Sequence, residues 1–207
     1  MMDLYERYPS LKDCKDDIEC ALSLMIETYE NGGKILVCGN GGSCADSEHI
    51  VGELMKGFLM KRKVDEQILG KLENLGYEDA GFIANHLQGA LPAISLPSQS
   101  AILSAYANDV SSEMAYAQLT YGYCGEKDLF IGISTSGNSK NVVYAAKVAK
   151  MMGAKTLALT GQKESDLSAI CDVTIRVSET ETYKVQELHL PVYHYLCAMT
   201  ESKFFEQ

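Results

Sequence analysis

The segment that decides the fold is residues 34–49, which read KILVCGNGGSCADSEH. The apolar run 35–37 predicts a buried β-strand, because parallel strands covered on both faces are continuous hydrophobic stretches. Glycines at positions 39, 41 and 42 follow directly. Glycine allows backbone torsions that other residues avoid, so the strand is expected to end in a tight loop.

A helix is predicted to begin immediately after this glycine loop. Ser43 is expected to be its N-cap, and Asp46 three residues later to form a partial capping box. The first N–H groups of a helix have no partner within it, and the helix dipole adds partial positive charge there. The loop therefore predicts an anion site, with an ordinary tight turn as the alternative.

Strands and helices alternate along the rest of the chain, which is typical of a parallel sheet with helices on both faces. A long amphipathic helix is predicted from Pro9 to Asn31, and a final helix from Tyr183 to Phe204. We therefore predict an α/β fold, a three-layer αβα sandwich around a central parallel sheet. Its five strands are predicted at residues 35–37, 92–96, 128–133, 156–160 and 172–177.

A second loop of the same kind follows the third predicted strand. Residues 134–139 read STSGNS, and a helix is expected to begin after them. Ligands of parallel sheets bind at the carboxyl ends of strands, near a reversal in strand order. The glycine loop and this serine loop are therefore expected to share an anion, although an ordinary serine-rich turn is the alternative.

Composition excludes several classes of partner. The chain has 207 residues, a formal net charge of −10 and seven cysteines without paired spacing. Nucleic-acid binding needs clustered basic residues, and the single basic cluster, residues 61–63, is interpreted as a solvated turn. No apolar run approaches the roughly 20 residues of a membrane span. Free thiols and a charged N-terminus predict a cytoplasmic protein.

Two pairs of residues carry the candidate chemistry. His49 and Glu53 are four residues apart on the second predicted helix, so they share a face near the glycine loop. A simple surface pair is the alternative. The final helix contains Gln186 and His194, with Pro191 between them expected to kink or interrupt it.

Two other histidines are predicted to lie outside the site. His189 is rotated by about 140° from His194 around a helix, so we expect it to have a structural role. His86 has no partner by spacing and is expected at the surface. It falls within residues 64–89, which are interpreted as a helical insertion of two short helices broken at Gly76.

Five motifs occur in one order: CGNGGS at 38–43, His49 with Glu53, Asn108-Asp109, STSGNS at 134–139, and Gln186-Glu187 with His189 and His194. Together they resemble the phosphoheptose isomerases, a branch of the sugar isomerase (SIS) domain proteins. The resemblance covers almost the whole chain except residues 64–89. It implies a single SIS domain over residues 1–207, of the SIS-type, flavodoxin-like architecture, assembled as a homotetramer with active sites at subunit interfaces.

The resemblance also implies a reaction, a substrate and a cofactor. The reaction is the aldose–ketose isomerisation of sedoheptulose 7-phosphate to D-glycero-D-manno-heptose 7-phosphate through an enediol. Glu53 and His194 are the implied catalytic residues, and Zn²⁺ is the implied cofactor. The implied zinc ligands are His49, Glu53, Gln186 and His194. The implied substrate-binding residues are Asn40, Gly41, Gly42, Ser43, Glu53, Asn108, Asp109, Ser134, Thr135, Ser136, Ser139 and Gln186.

Physical chemistry raises two questions about this set. Zinc ligation lowers the basicity of a carboxylate, so the ligand and base roles of Glu53 compete, and we assign Glu53 as base and His194 as acid. Gln186 and His194 are eight residues apart, which is roughly 12 Å along a helix and about 80° around it. Either the Pro191 kink and the long glutamine side chain close that gap, or another subunit supplies one ligand.

This chain also departs from the family. Family members often have Gly-Arg shortly after the glutamate, where this chain has Lys56-Gly57. An arginine close to the phosphate is therefore missing or replaced by Lys56, Lys61 or Arg62. Two alternative functions stay open: an isomerase of another ketose phosphate, and a non-catalytic SIS adaptor of the kind that binds a replication initiator.

Overall fold

The computed structural model describes residues 3–65 and 67–206. Within these residues, parallel strands form one five-stranded sheet in the order β2-β1-β3-β4-β5. The strands are β1 Ile35–Gly39, β2 Ala93–Ser95, β3 Leu129–Ile133, β4 Lys155–Thr160 and β5 Val173–Arg176. The sheet confirms the predicted three-layer α/β architecture.

The helices cover both faces of this sheet. They are α1 Leu4–Arg7, α2 Lys15–Glu30, α3 Gly42–Met55, α4 Gln67–Asn74, α5 Ala80–His86, α6 Ser100–Tyr106, α7 Ala115–Tyr123, α8 Lys140–Met151, α9 Asp166–Ile170 and α10 Thr182–Phe205. The first long helix was predicted from Pro9, but the chain forms a 3₁₀ turn over Pro9–Cys14 before α2. None of the helices in the described ranges is long and apolar enough to cross a membrane.

The two faces of the sheet build two hydrophobic cores. In β1, Ile35 and Val37 pack into the core beneath α2, α3 and α10, whereas Leu36 and Cys38 pack into the core beneath α7 and α8. Side chains of a strand alternate between faces, so a continuous apolar run is needed where both faces are covered. This explains why the two central strands β1 and β3, ILVCG and LFIGI, contain no charged or hydroxyl side chain.

The strand order reverses between β1 and β3. The chain passes from β1 to β2 on one side, and β3 then pairs with β1 on the other side. Gly39 and Ile133 end their strands as register partners. The glycine loop and the serine loop therefore leave the same edge of the sheet side by side, where ligands of such sheets bind.

The stretch 64–89 contributes little to either core. It contains α4 and α5, and Ala80 is its one buried residue among those described. His86 lies at the surface as predicted, where its ring stacks on Phe82 and its Nδ1 lies 2.7 Å from the Phe82 carbonyl oxygen. The segment is thus held by few apolar contacts, and its packing does not depend on the sheet.

A buried ion pair joins the end of α3 to α10. Arg62 and Glu201 are both fully buried, and Arg62 Nε donates to Glu201 Oε1 at 2.8 Å. Arg62 also donates to the carbonyl oxygens of Leu54 and Glu53, and Glu201 accepts the N–H groups of residues 58 and 59. The interpretation of residues 61–63 as a solvated turn was wrong for Arg62, because a charged partner distant in sequence draws it inside.

This geometry also removes Arg62 as a substitute for an arginine close to the phosphate. Its guanidinium is committed to Glu201 and to two backbone carbonyls. Lys56 and Lys61 are both exposed, but Lys56 pairs with Glu53 at 3.1 Å, so Lys61 is the unengaged candidate for that role among the described residues.

We expect Arg62→Met to lower the free energy of unfolding by about 3–5 kcal/mol, because Glu201 is then a buried charge without its counterion. Arg62→Met/Glu201→Met is expected to lose less than the single variant, since no buried charge remains. Urea unfolding followed by circular dichroism measures both. Glu30→Gln is the control, because the Glu30–Lys203 pair is half exposed and its loss should not be measurable. A double variant as unstable as the single one would contradict this account.

His189 fastens α10 to the sheet. Its ring is buried, and Nε2 lies 3.2 Å from the carbonyl oxygen of Thr160 at the end of β4. Its Nδ1 is buried and has no partner among the described residues. Burial lowers the pKa of His189 to about 4, so the ring is neutral at neutral pH. The predicted structural role of His189 is confirmed.

We expect His189 to make the protein sensitive to acid. Because its pKa is lower in the folded state than the ordinary 6.5, the unfolded state binds more protons between pH 6.5 and pH 4, and stability falls as the pH falls through that window. The contribution is about 1.4 kcal/mol per pH unit, or about 3 kcal/mol in total. We therefore expect the free energy of unfolding, measured in urea, to fall less between about pH 7 and about pH 4.5 in His189→Gln than in the unmodified protein. If the free energy of unfolding falls equally in the unmodified protein and in His189→Gln, His189 is not the source of the acid sensitivity.

Candidate active site

The glycine loop turns earlier than predicted. Gly41 has φ +55°, and α3 begins at Gly42 with Gly41 as its N-cap. Ser43 is therefore the second residue of the helix and not its cap, and no side chain caps α3. The correction has a physical cause: a glycine with positive φ reverses the chain without help from a side-chain oxygen. Ser43 is buried against the loop.

Gly42 is where α10 meets the glycine loop. A Cβ atom at this position would lie 2.4 Å from Nε2 of Gln186. A side chain at this position would displace that amide, which lies against the first turn of α3. The glycine loop and α10 therefore share one surface. The close contact with Gln186 accounts for a small residue at position 42, where φ is not positive.

The serine loop is shaped by Gly137. This residue has φ +69°, and a Cβ atom there would lie 2.1 Å from Oγ of Ser165. The loop folds over so that the hydroxyl oxygens of Ser134 and Ser139 lie 3.0 Å apart. Thr135 is half-buried and Ser136 is exposed. The hydroxyl groups predicted to bind an anion thus lie in one short loop before α8.

A pair of amides joins the two loops. Asn40 and Asn141 exchange two side-chain hydrogen bonds of 2.9 Å each. Asn141 lies in the first turn of α8, so the pair links the start of α8 to the glycine loop. The predicted proximity of the two loops is therefore observed, and Asn40 is engaged with protein in this structure.

Three of the predicted reactive side chains come together. His49 Nε2 lies 3.2 Å from Glu53 Oε1 and 3.4 Å from His194 Nε2. The second oxygen of Glu53 accepts a hydrogen bond from Lys56 at 3.1 Å. Phe58 packs against the His194 ring with ring centroids 5.4 Å apart. His49 and Glu53 are therefore more than a surface pair, because a third group from α10 completes the cluster.

The donor spacing can be compared with that of a zinc site. Zinc bonds of about 2.0–2.1 Å in a tetrahedron place neighbouring donors about 3.3–3.4 Å apart. Both distances from His49 Nε2 match this spacing. No three His, Cys, Asp or Glu residues among those described form a closed ligand cluster, however. The two donor pairs therefore have the spacing of zinc ligands, but His49, Glu53 and His194 do not form a three-ligand site as they stand.

Gln186 does not join this cluster within the chain. The final helix continues without interruption through Pro191, so the expected interruption does not occur. Gln186 lies opposite Gly42, and His194 lies opposite His49, seven residues further along α3. Seven residues of helix span about 10 Å, so Gln186 and His194 contact α3 two turns apart. The helix is thus unbroken at Pro191, and both explanations for Gln186 and His194 stay open: a kink combined with the long glutamine side chain, and a ligand from another subunit.

Asn108 and Asp109 lie in a π-helical turn, Ala107–Ser111, between α6 and a 3₁₀ turn. Asn108 Nδ2 donates to Asp109 Oδ1 at 2.8 Å, and both residues are exposed. No residue from 100 to 114 is buried. The structure therefore places this predicted substrate-binding pair on an uncovered surface next to the start of α8, where Lys140 pairs with Glu113 at 3.3 Å.

Sequence reasoning missed two residues that support His49. Tyr193 is buried, its hydroxyl donates to Asp46 Oδ1 at 3.1 Å, and it lies 3.0 Å from His49 Nδ1. Asp46 was expected to cap α3 and instead accepts this hydrogen bond. The sequence signal was available: Asp46 precedes His49 by one helical turn, and Tyr193 directly precedes His194.

Burial also shifts the protonation of these groups. It lowers the pKa of His194, and the neighbouring His49 lowers it further, while Glu53 opposes the shift. Burial raises the pKa of the Tyr193 hydroxyl, and the Asp46 carboxylate raises it further. At neutral pH, His194 is therefore neutral and Tyr193 keeps its proton.

Comparison with known proteins agrees with this geometry. SIS domain profiles match residues 9–85 and 101–199. Phosphoheptose isomerases of Helicobacter pylori (strain P12) and Aneurinibacillus thermoaerophilus are each 35% identical to the chain, over 94% and 91% of it and 88% and 82% of their own lengths. The structure of phosphoheptose isomerase GmhA from Neisseria gonorrhoeae matches with a TM-score of 0.74 at 27% identity, covering 95% of this chain and 94% of that one. The chain belongs to the phosphoheptose isomerase family of SIS domain proteins.

Proposed function

We propose that this chain is an aldose–ketose isomerase that converts sedoheptulose 7-phosphate to D-glycero-D-manno-heptose 7-phosphate. The observation that carries the proposal is the convergence of Glu53, His49 and His194 beside the two loops at the carboxyl edge of the sheet. Relatives named phosphoheptose isomerase support this substrate over another ketose phosphate. They also favour an enzyme over an adaptor.

Glu53 is the proposed base. The isomerisation moves a proton from C1 to C2 of the sugar through an enediol, so it needs a base beside the C1–H bond. Lys56 holds one oxygen of Glu53, which leaves Oε1 directed toward His49. The Glu53 side chain is only 13% exposed, and its backbone carbonyl is fixed by Arg62. A carboxylate held in this way needs little reorganisation to accept a proton.

His194 is the proposed acid. Because burial lowers its pKa, it is neutral at neutral pH and keeps one ring proton that it can share with a sugar oxygen. Phe58 and His49 hold the ring from two sides. The proposed acid and base both approach Nε2 of His49, so the two groups lie close together in one site.

The two loops are the proposed binding site for the substrate. The hydroxyl groups of Ser134, Thr135, Ser136 and Ser139 precede α8, and Asn40, Gly41, Gly42 and Ser43 precede or begin α3. Both helix N-termini favour an anion. With a net charge of −10, the chain has no overall attraction for a phosphate, so these local donors must hold it.

Zinc is the proposed cofactor, with His49, Glu53, His194 and Gln186 as its ligands. When bound, it would polarise the sugar oxygen atoms and stabilise the negative charge of the enediol. Two pair distances support it, His49 to Glu53 and His49 to His194, although the three side chains would have to move to close around one ion. Since Gln186 and His194 contact α3 two turns apart, movement of the glutamine or a second subunit must complete the set.

The proposed assembly is a cytoplasmic homotetramer with active sites at the subunit interfaces. Residues 100–114 support it, because they form helical turns with no buried side chain and include exposed Ile102, Val110 and Met114. Such turns gain stability when another chain covers them. Asn108 and Asp109 lie on this surface and would then face a neighbouring site.

The activity test uses sedoheptulose 7-phosphate and a panel of other ketose phosphates. We expect turnover of the heptulose that is lost with a chelator and restored by zinc. Glu53→Gln and His194→Asn are expected to lower kcat by about 10²–10⁴-fold, because each removes a proton-transfer group. Glu27→Gln, an exposed carboxylate on α2, is the control.

Each result of this assay decides between the candidate functions. Preference for another ketose phosphate would overturn the substrate. A protein that is inert on every sugar phosphate would favour the adaptor. Full activity of the His194 variant would refute its role as acid, and activity that is unaffected by the chelator would refute the zinc.

A glycine substitution tests the contact between Gln186 and the loop. Gly42→Ala places a methyl group where the Gln186 amide lies, so we expect kcat/KM to fall by roughly 10–10²-fold without unfolding, since small displacements in a site have such effects. The control is Gly70→Ala in α4, where the added methyl group meets open space. Unchanged kcat/KM in the Gly42 variant would show that Gln186 does not act from this position.

A further inference from the structure

We propose that Tyr193 and Asp46 are positioning residues that hold His49 in its Nδ1–H tautomer, so that Nε2 presents a lone pair to the reacting centre. The Asp46–Tyr193–His49 hydrogen-bond chain consists of two contacts. Tyr193 donates to Asp46 Oδ1 at 3.1 Å, and His49 Nδ1 lies 3.0 Å from the same hydroxyl oxygen.

The direction of the Asp46–Tyr193–His49 hydrogen bonds follows from counting the protons on each group. A tyrosine hydroxyl has one proton, and Tyr193 donates it to Asp46 Oδ1. The Tyr193 proton therefore points at Asp46, and the hydroxyl oxygen can only accept from His49. His49 Nδ1 must then carry the ring proton, which leaves Nε2 without one when the ring is neutral.

Burial makes this direction rigid. Tyr193 is 2% exposed, and Asp46 Oδ2 is buried without a partner among the described residues. Tyr193 is therefore the principal partner of this half-buried carboxylate, and the tyrosine ring is packed too tightly to turn toward water. The Tyr193 ring also meets the His49 ring edge-on, with centroids 5.4 Å apart. The tyrosine thus fixes both the proton and the plane of the imidazole.

The surroundings of His49 Nε2 indicate the function of this tautomer. The His49 Nε2 atom lies 3.2 Å from Oε1 of Glu53. In the neutral Nδ1–H form both atoms are acceptors, and they repel each other unless a proton or a metal cation lies between them. The hydrogen-bond chain therefore prepares a cation site at Nε2, and outer partners of this kind orient histidine ligands in metal sites. This last step rests on the proposed function, whereas the tautomer does not.

The first experiment measures the tautomer without metal or substrate. Long-range ¹H–¹⁵N spectra of the ¹⁵N-labelled, chelator-treated protein are recorded well above the ordinary histidine pKa of about 6.5. The His49 signals are those missing in His49→Asn. We expect the Nδ1–H pattern in the unmodified chain. An Nε2–H pattern for His49 there would overturn the proposal.

Three variants test the cause of the tautomer. Tyr193→Phe removes the acceptor for Nδ1–H, so His49 should shift toward the Nε2–H form. Asp46→Ala frees the Tyr193 proton to point at Nδ1, which should drive His49 to the Nε2–H form more fully. Tyr195→Phe is the matched control, because Tyr195 lies on the same helix and bonds to Glu19, away from the site. An Nδ1–H pattern that persists in both Tyr193→Phe and Asp46→Ala would refute the proposal.

Zinc affinity provides a second measurement, made by competition with a chromophoric chelator. We expect Tyr193→Phe and Asp46→Ala to bind zinc about 10–100-fold more weakly than the Tyr195→Phe control, as outer partners of histidine ligands typically do when lost. Circular dichroism shows whether each variant is folded. If Tyr193→Phe is unfolded, the comparison is made with Asp46→Ala. Unchanged zinc affinity would overturn the role in metal binding. Because neither measurement uses a sugar, failure of the proposed isomerase activity is distinguished from failure of this inference.

Discussion

The packing of α10 along α3 is the interaction on which the site depends. The two helices run side by side in the same direction, since Gln186 meets Gly42, Tyr193 meets Asp46 and His49, and Glu201 is joined to the end of α3. The rise along both helices is the same, so contacts at the two ends fix the contacts between them. A histidine of α10 is thereby placed beside a histidine and a glutamate of α3.

The buried pair of Arg62 and Glu201 fixes this alignment at one end. Such pairs contribute little net stability, because removing two charges from water nearly cancels their attraction, but they penalise every arrangement that separates them. The pair fits only one register of α10 against α3. Arg62 also holds the Glu53 carbonyl oxygen, so the element that aligns the helices reaches the proposed base directly. Stability and the geometry of the site are thus coupled through one guanidinium.

Much of the fold and part of the candidate site followed from local sequence. The apolar runs predicted all the strands of the observed sheet, and the glycine and serine loops were predicted at the correct edge. His49 and Glu53 could be paired because helical spacing alone decides that they share a face. The role of Arg62 could not be predicted, since its partner Glu201 is 139 residues away and nothing local distinguishes a buried arginine from a solvated one.

Local sequence was therefore sufficient for the class of fold, the two loops and the residue types of the candidate site, because each depends on periodicity or on torsions within a few residues. Which atoms meet depended on tertiary packing. It moved the start of α3 to Gly42, separated Gln186 from His194 along α3, and gave Tyr193 and Asp46 a function. These outcomes depend on how two helices distant in sequence align, and that alignment is set by packing and buried charge rather than by local preference.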